Sequence, residues 1–246
     1  MSMDTIAPVT ASLRRRLLAE FLGSAFLAAL VIGSGIAAAS LSQDVGLQLL
    51  ENAAATAAGL FAIILMFGPI SGGHFNPVVS LTDAAFGGLS RRDAGAYIPC
   101  QIAGCISGAI AANAMFDLSL LSISSHHRAS APHLLSESIA TLGLLLVIFA
   151  LARTHRANSA PAAVGAYIGA AYWFTSSTSF ANPAISVGRM FSDTFAGIAP
   201  ASVPGFVAAQ LVGGTVAVGL IRALYPDIGP REAADVVVPH PEPANA

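Results

Sequence analysis

Lysine is absent from this 246-residue chain, so all eleven of its basic residues are arginine, and charged residues of both signs make up only 10% of it. A soluble domain carries roughly 25%. The formal net charge is −2, and no basic tract suggests a nucleic-acid partner or a polybasic membrane-surface segment. Cysteine is nearly as scarce. Cys100 and Cys105 fall five apart in one apolar stretch and read as small hydrophobes, not as a disulfide or a metal pair. No cleavable leader is expected, because the apolar run after Arg14, Arg15 and Arg16 continues from Leu17 to about Ala39 without an obvious cleavage site. What the chain does have is hydrophobicity, 55% of all residues, which places it in lipid.

A hydrocarbon core about 30 Å thick needs roughly 20 apolar residues per helix. Six stretches qualify: residues 17–39, 47–68, 94–116, 134–152, 162–178 and 202–224. Two shorter pieces, 76–86 and 182–191, cannot cross and read as re-entrant half-helices; the irregular backbone before each is tolerable at membrane depth only inside protein or beside water. With the N-terminus in the cytoplasm, nine arginines fall inside and only Arg128 and Arg189 outside. The expectation is a multi-pass protein of a cell membrane, the inner membrane in a bacterium, with both termini cytoplasmic. Residues 1–11 and the Pro- and Ala-rich tail 226–246 are expected to be disordered.

The polar run Ser71-Gly72-Gly73-His74-Phe75-Asn76-Pro77-Val78-Val79-Ser80 organises the chain, and it has a partner in Asn182-Pro183-Ala184, which follows the small and polar run Ser176-Ser177-Thr178-Ser179-Phe180-Ala181. In both, Asn suits an N-cap and Pro the first helical position, where its missing N–H would have no partner. Aligning the two Asn-Pro pairs brings Gln101 near Gln210, with a three-residue slip, and Glu20 corresponds to Glu137 near the start of the first span of each half. Each half then has three spans, an odd number, so the halves run in opposite senses and form an inverted repeat. Paired, Gly/Pro-interrupted segments of this kind point to a site at the bilayer midplane.

On these motifs the chain resembles the aquaporin and glycerol-facilitator family, also called major intrinsic proteins, over residues 12–225, with repeat halves of about 12–116 and 134–225. The resemblance implies an all-α membrane protein of six transmembrane helices and two re-entrant half-helices, acting as a passive channel and not an enzyme. It also implies a homotetramer in the bilayer with no nucleic-acid partner, no cofactor, no metal and no catalytic residue. One departure is Val78, where the family's triplet ends in Ala; the added bulk should alter packing more than chemistry. Asn76 and Asn182 are expected to line the pore midplane. Glu20 and Glu137, carboxylates in apolar spans, need donors and are expected to hold the re-entrant loops. His74 is expected on the cytoplasmic side of the pore, as a loop anchor with pH gating as the alternative.

In water-selective members of the family the outer constriction has an aromatic, a His, a small residue and an Arg. Counting from the Asn-Pro anchors, this chain offers Thr56, Ala170, Ser179 and Ile185, and a shift of one or two residues in the fifth span would bring in Gly169 or Tyr172. Otherwise Tyr172 and Trp173 read as interface or lipid-facing residues. A wide, modestly polar ring is expected, passing water and small uncharged solutes such as a polyol or arsenite as the neutral acid. Arg189, one turn beyond Ile185, can lean back over it toward the vestibule or pair with Asp193. An alternating-access transporter shares inverted repeats and broken helices and stays as the alternative. His126, His127 and His133 lack fixed ligand spacing and read as a solvated loop.

Overall fold

The computed structural model describes residues 11–226 and Val236. The expectations for most of the N-terminal segment and the C-terminal tail lie outside the described residues; Val236, fully buried, is the exception. Eight α-helices occupy the described residues, in the order α1 Leu13–Leu41, α2 Val45–Ser71, α3 Pro77–Phe86, α4 Arg91–Met115, α5 Ala131–Arg153, α6 Ala160–Phe174, α7 Pro183–Gly188 and α8 Val203–Leu224. Five of them are long and apolar enough to span a membrane. The expected fifth span, α6, is shorter than anticipated and ends at Phe174, because the chain then enters the Ser/Thr-rich loop. Its fifteen residues cover about 22 Å, and a 3-10 turn at Ala157–Ser159 extends it at the other end by about 6 Å.

The helices turn apolar side chains outward as well as inward. Phe26, Phe61, Leu65, Met66, Trp173, Val212 and Val216 are all exposed, which suits a bundle solvated by lipid. Within each half the first span packs on the third, α1 on α4 and α5 on α8. Small residues permit this: a Cβ on Gly104 would sit 2.3 Å from the Phe21 carbonyl oxygen, one on Gly108 2.1 Å from that of Ala25, and one on Gly213 2.3 Å from that of Ser138. Backbones in such contact gain dispersion energy that bulky side chains would forbid.

The half-helices α3 and α7 join the repeats. Each packs against the third span of its own half and of the other, α3 on α4 and α8, α7 on α8 and α4. Val78 fills space that a side chain at position 214 would need, since a Cβ on Gly214 would fall 2.6 Å from its Cγ1. Both half-helices begin as their sequences suggest. Asn76 accepts from the Val78 N–H, and Asn182 from those of Ala184 and Ile185. The expected second half-helix is a single α-turn and a half, continued by a 3-10 turn at Arg189–Phe191.

Candidate functional site

Two buried carboxylates hold the re-entrant loops in the same way. Glu20 accepts from the Ser71 hydroxyl (2.6 Å), the backbone N–H groups of His74 (3.0 Å) and Phe75 (2.8 Å), and Gln101 Nε2 (2.7 Å). Glu137 accepts from the Ser177 hydroxyl (2.6 Å), the N–H groups of Phe180 (2.9 Å) and Ala181 (2.8 Å), and Gln210 Nε2 (2.6 Å). Each glutamate thus serves the loop of its own half. Four donors offset the desolvation of each carboxylate, as a buried charge requires. Each glutamine also donates to a serine on its half-helix, Ser80 or Ser186, at 3.0 Å. The glutamines had only their matching repeat positions to mark them; polar side chains in apolar spans were the signal.

The loops lock to each other through the asparagines. Asn76 Nδ2 donates to the Ala181 carbonyl and Asn182 Nδ2 to that of Phe75, both at 2.8 Å. A carboxamide has two N–H donors, so each Asn keeps one beyond this exchange. Both side chains line a single cavity that also touches His74 and Phe75 of the first loop, Ser179 and Phe180 of the second, and Thr56, Tyr172, Ile185 and Arg189. Its space for the centre of a water-sized sphere is about 60 Å³, room for a few water molecules at about 10–15 Å³ each.

Ala170 is not at this cavity. It is exposed, on the far side of α6 from Ile168 and Tyr172, which are four apart and share the inward face. Tyr172, expected either as the fifth-span filter residue after a shift of two or as an interface or lipid-facing residue, is 3% exposed, and its hydroxyl lies 3.2 Å from Thr56 Oγ1. Arg189 is also 3% exposed. Its Nε donates to the Ala196 carbonyl and its guanidinium carbon lies 3.4 Å from the centre of the Phe180 ring, a stacked cation–π contact. Asp193 is not its partner: that carboxylate accepts from the Ser125 N–H (2.9 Å) and hydroxyl (3.1 Å), with His126 Nε2 at 3.8 Å. Of the expected ring, Thr56, Ser179 and Ile185 touch the cavity and Ala170 does not; Tyr172, two residues on, lines it from α6. Thr56, Tyr172, Ser179 and Arg189 give this part of the cavity its polar lining, and Ile168 and Ile185 its apolar lining. The Ser179 hydroxyl has no hydrogen-bond partner among the described residues.

At the other end His74 packs edge-on against Tyr97, with ring centres 5.6 Å apart, and Tyr97 donates to the Ser71 carbonyl at 2.9 Å. His74 Nδ1 lies 3.0 Å from Ser80 Oγ, and Nε2 3.4 Å from the buried Asp83 carboxylate. Asp83 was not anticipated from sequence, because one acid on a short helix ordinarily faces water. Among the described residues no group of three metal-ligating side chains occurs, and Cys100 and Cys105 are free.

The model of the major intrinsic protein family matches residues 8–179. The chain is 49% identical to aquaglyceroporin AqpS of Rhizobium meliloti over 212 residues, 86% of this chain and 91% of the relative. It is 36% identical to the glycerol uptake facilitator protein of Pseudomonas aeruginosa over 107 residues, 44% of this chain and 37% of the relative. The X-ray structure of the aquaglyceroporin from Plasmodium falciparum superposes with a TM-score of 0.69 at 19% identity, covering 88% of this chain and 99% of that one.

Proposed function

The chain belongs to the major intrinsic protein family, an integral membrane channel family, and on that premise we propose that it is a passive pore for water and small uncharged hydroxylated solutes. The observation that carries this reading is the reciprocal Asn76–Asn182 lock, which presents two half-helix N-termini and two spare amide donors to one cavity. Helix N-termini carry about half a positive charge each, so a cation meets a barrier there that a neutral solute does not. The amide donors replace hydrogen bonds that a permeating hydroxyl loses to water.

The outer constriction suits a polyol or a neutral oxyacid such as arsenite in its fully protonated form. Thr56, Tyr172, Ser179 and Arg189 offer donors and acceptors to the cavity, and Ile168 and Ile185 add apolar surface. A solute that combines hydroxyls with carbon or a large central atom satisfies both kinds of lining. In this reading Arg189, one turn beyond Ile185, supplies the positive charge of the outer mouth, and Ile185 leaves room beside it. Glu20 and Glu137 act as loop anchors. In this reading both termini are cytoplasmic, which the excess of arginine in the loops of one side supports, and the pore is taken to assemble as a homotetramer.

Stopped-flow permeability of proteoliposomes to water, glycerol, urea and neutral arsenite tests the reading. Water and glycerol should pass without any ion gradient, and Arg189→Ala should raise both glycerol permeability and cation leak. A wild-type protein that passes no neutral solute, or passes one only when an ion gradient is imposed, would overturn it. Cross-linking in native membranes should give a four-subunit species.

A further inference from the structure

Helix α4 stops short of the surface that its neighbour α1 reaches. A Cβ on Gly104 or Gly108 would meet the carbonyl oxygen of Phe21 or Ala25, and one on Gly33 would lie 3.4 Å from the Phe116 ring, with the same sequence offset at all three contacts. The two helices therefore run parallel and in step. Met115, the last residue of α4, is level with Ile32, nine residues and about 13 Å before α1 ends at Leu41. Since the apolar run of α1 continues to about Ala39, the chain leaves α4 at a depth that is still beside lipid.

The stretch that follows is a loop in its backbone but not in its composition. Residues 116–123 carry a single charge, Asp117, and Leu118, Leu120, Leu121 and Ile123 are each between 41% and 59% exposed. In a free loop such side chains would fold inward. Here hydrogen bonds prevent it. The Leu118 N–H donates to the Asn113 carbonyl (2.9 Å) and Asn113 Nδ2 to that of Leu120 (3.1 Å), which draws the chain back beside the last turn of α4. The Ser122 and Ser124 N–H groups donate to the carbonyls of Phe191 (3.3 Å) and Met190 (2.8 Å), in the 3-10 turn after α7. Asn113, fully buried, binds that region as well, donating to the Phe191 carbonyl (2.9 Å) and accepting from the Ser192 hydroxyl (2.7 Å). Polar contacts thus fasten the inner edge of the segment, and its apolar side chains are held outward.

We propose that Leu118–Ile123 is a docking surface for lipid, seated against the acyl chains just beneath the headgroups of the leaflet at the outer mouth. It continues the exposed apolar flank of α4, Met115 and Phe116, which lipid already solvates. Asp117 sets the depth. Its exposed carboxylate needs water, which puts it among the headgroups and leaves the leucines around it at the acyl boundary, as in a segment lying in the membrane interface. A second copy of the chain fits this surface less well: Asp117 and Ser119 are its only exposed polar side chains, too few for the polar rim of a protein interface. The docking does not depend on what the pore conducts.

Trp173 is the only tryptophan, so Trp173→Phe combined with Leu121→Trp gives a fluorophore in this segment alone. In nanodiscs of phosphatidylcholine brominated on the acyl chain near the headgroup, its emission should fall at least about twofold relative to unbrominated lipid. His127→Trp in the same Trp173→Phe background, farther along the loop and exposed, should be quenched by aqueous iodide and not by brominated lipid. Ile123→Trp reads the same surface where Leu121→Trp does not assemble. A Leu121→Trp protein quenched only by iodide would put the segment in water, and one quenched by neither agent would put a second copy over it; either result overturns the lipid surface. Equal quenching of both positions by brominated lipid would overturn it too, because the whole loop would then be immersed.

Discussion

The two re-entrant loops, residues 71–76 and 177–182, share one backbone and differ in what that backbone carries. At three matching positions the chain is left-handed: Gly72, Gly73 and Phe75 at φ 91°, 65° and 47°, against Thr178, Ser179 and Ala181 at 61°, 50° and 46°. Glycine adopts this region freely, but a residue with a Cβ costs about 1–2 kcal/mol there, and a β-branched one is a true outlier. The second loop is therefore strained where the first is relaxed. In exchange it places the Ser179 hydroxyl on the cavity wall, which glycine could not do. The anchors that impose the conformation are the same on both sides, which identifies Glu20 and Glu137 as the common frame and the loop side chains as the part that differs between inner and outer ends.

The largest effect should come from the frame. Glu20→Ala or Glu137→Ala leaves four donors without an acceptor in each case, a loss of about 3–5 kcal/mol for a broken buried charged network. Thermal unfolding in detergent should show both variants severely and similarly destabilised. If only one suffers, the two loops are not held by equivalent frames.

A smaller effect should separate the loops. Gly73→Ala adds a Cβ 3.2 Å from the Gly68 Cα at a left-handed φ, and should cost about 1–3 kcal/mol. Ser179→Gly should instead preserve or raise the melting temperature by removing strain, while altering the ratio of glycerol to water permeability. Equal destabilisation by the two changes would show that the φ values do not carry the difference. Next in size, Tyr172→Phe removes one neutral hydrogen bond to Thr56, so it should lower stability by about 1 kcal/mol and shift that same permeability ratio about fivefold.

The smallest effect lies where the Ser125 loop meets Asp193. The Ser125 N–H and hydroxyl hold the exposed Asp193 below the usual carboxylate range. Because the folded value is depressed, the contribution is present above the ordinary carboxylate pKa and is lost as pH falls through the lower, folded value. Asp193→Asn should therefore matter only slightly at neutral pH, and the wild-type difference should vanish in strong acid, as read by hydrogen exchange at the Ser125 amide.

The asparagines, the glutamates and the six-span inverted architecture were legible because the repeat states each of them twice, so a cap or a lone buried acid gained meaning from its partner. Tyr172 was less legible. Which side of α6 faces inward depends on how that helix is rotated, and counting back from Asn182 crosses the irregular stretch 175–181, where helical periodicity does not hold. Arg189 could be placed near the mouth from helical periodicity, but its stack on Phe180 depends on a loop conformation that has no periodic signal. Asp83 was hidden for another reason: its burial follows from packing between α4 and α8 across the repeat, a tertiary fact that no spacing within residues 76–86 reveals.

Passive conduction through the Asn76–Asn182 lock is tested most directly by the initial rate of glycerol entry into proteoliposomes, measured against glycerol concentration with no ion gradient present. A rate that rises linearly over a wide range, and disappears in protein-free vesicles, is the expected result. A rate that saturates at low concentration and depends on an imposed ion gradient would contradict it.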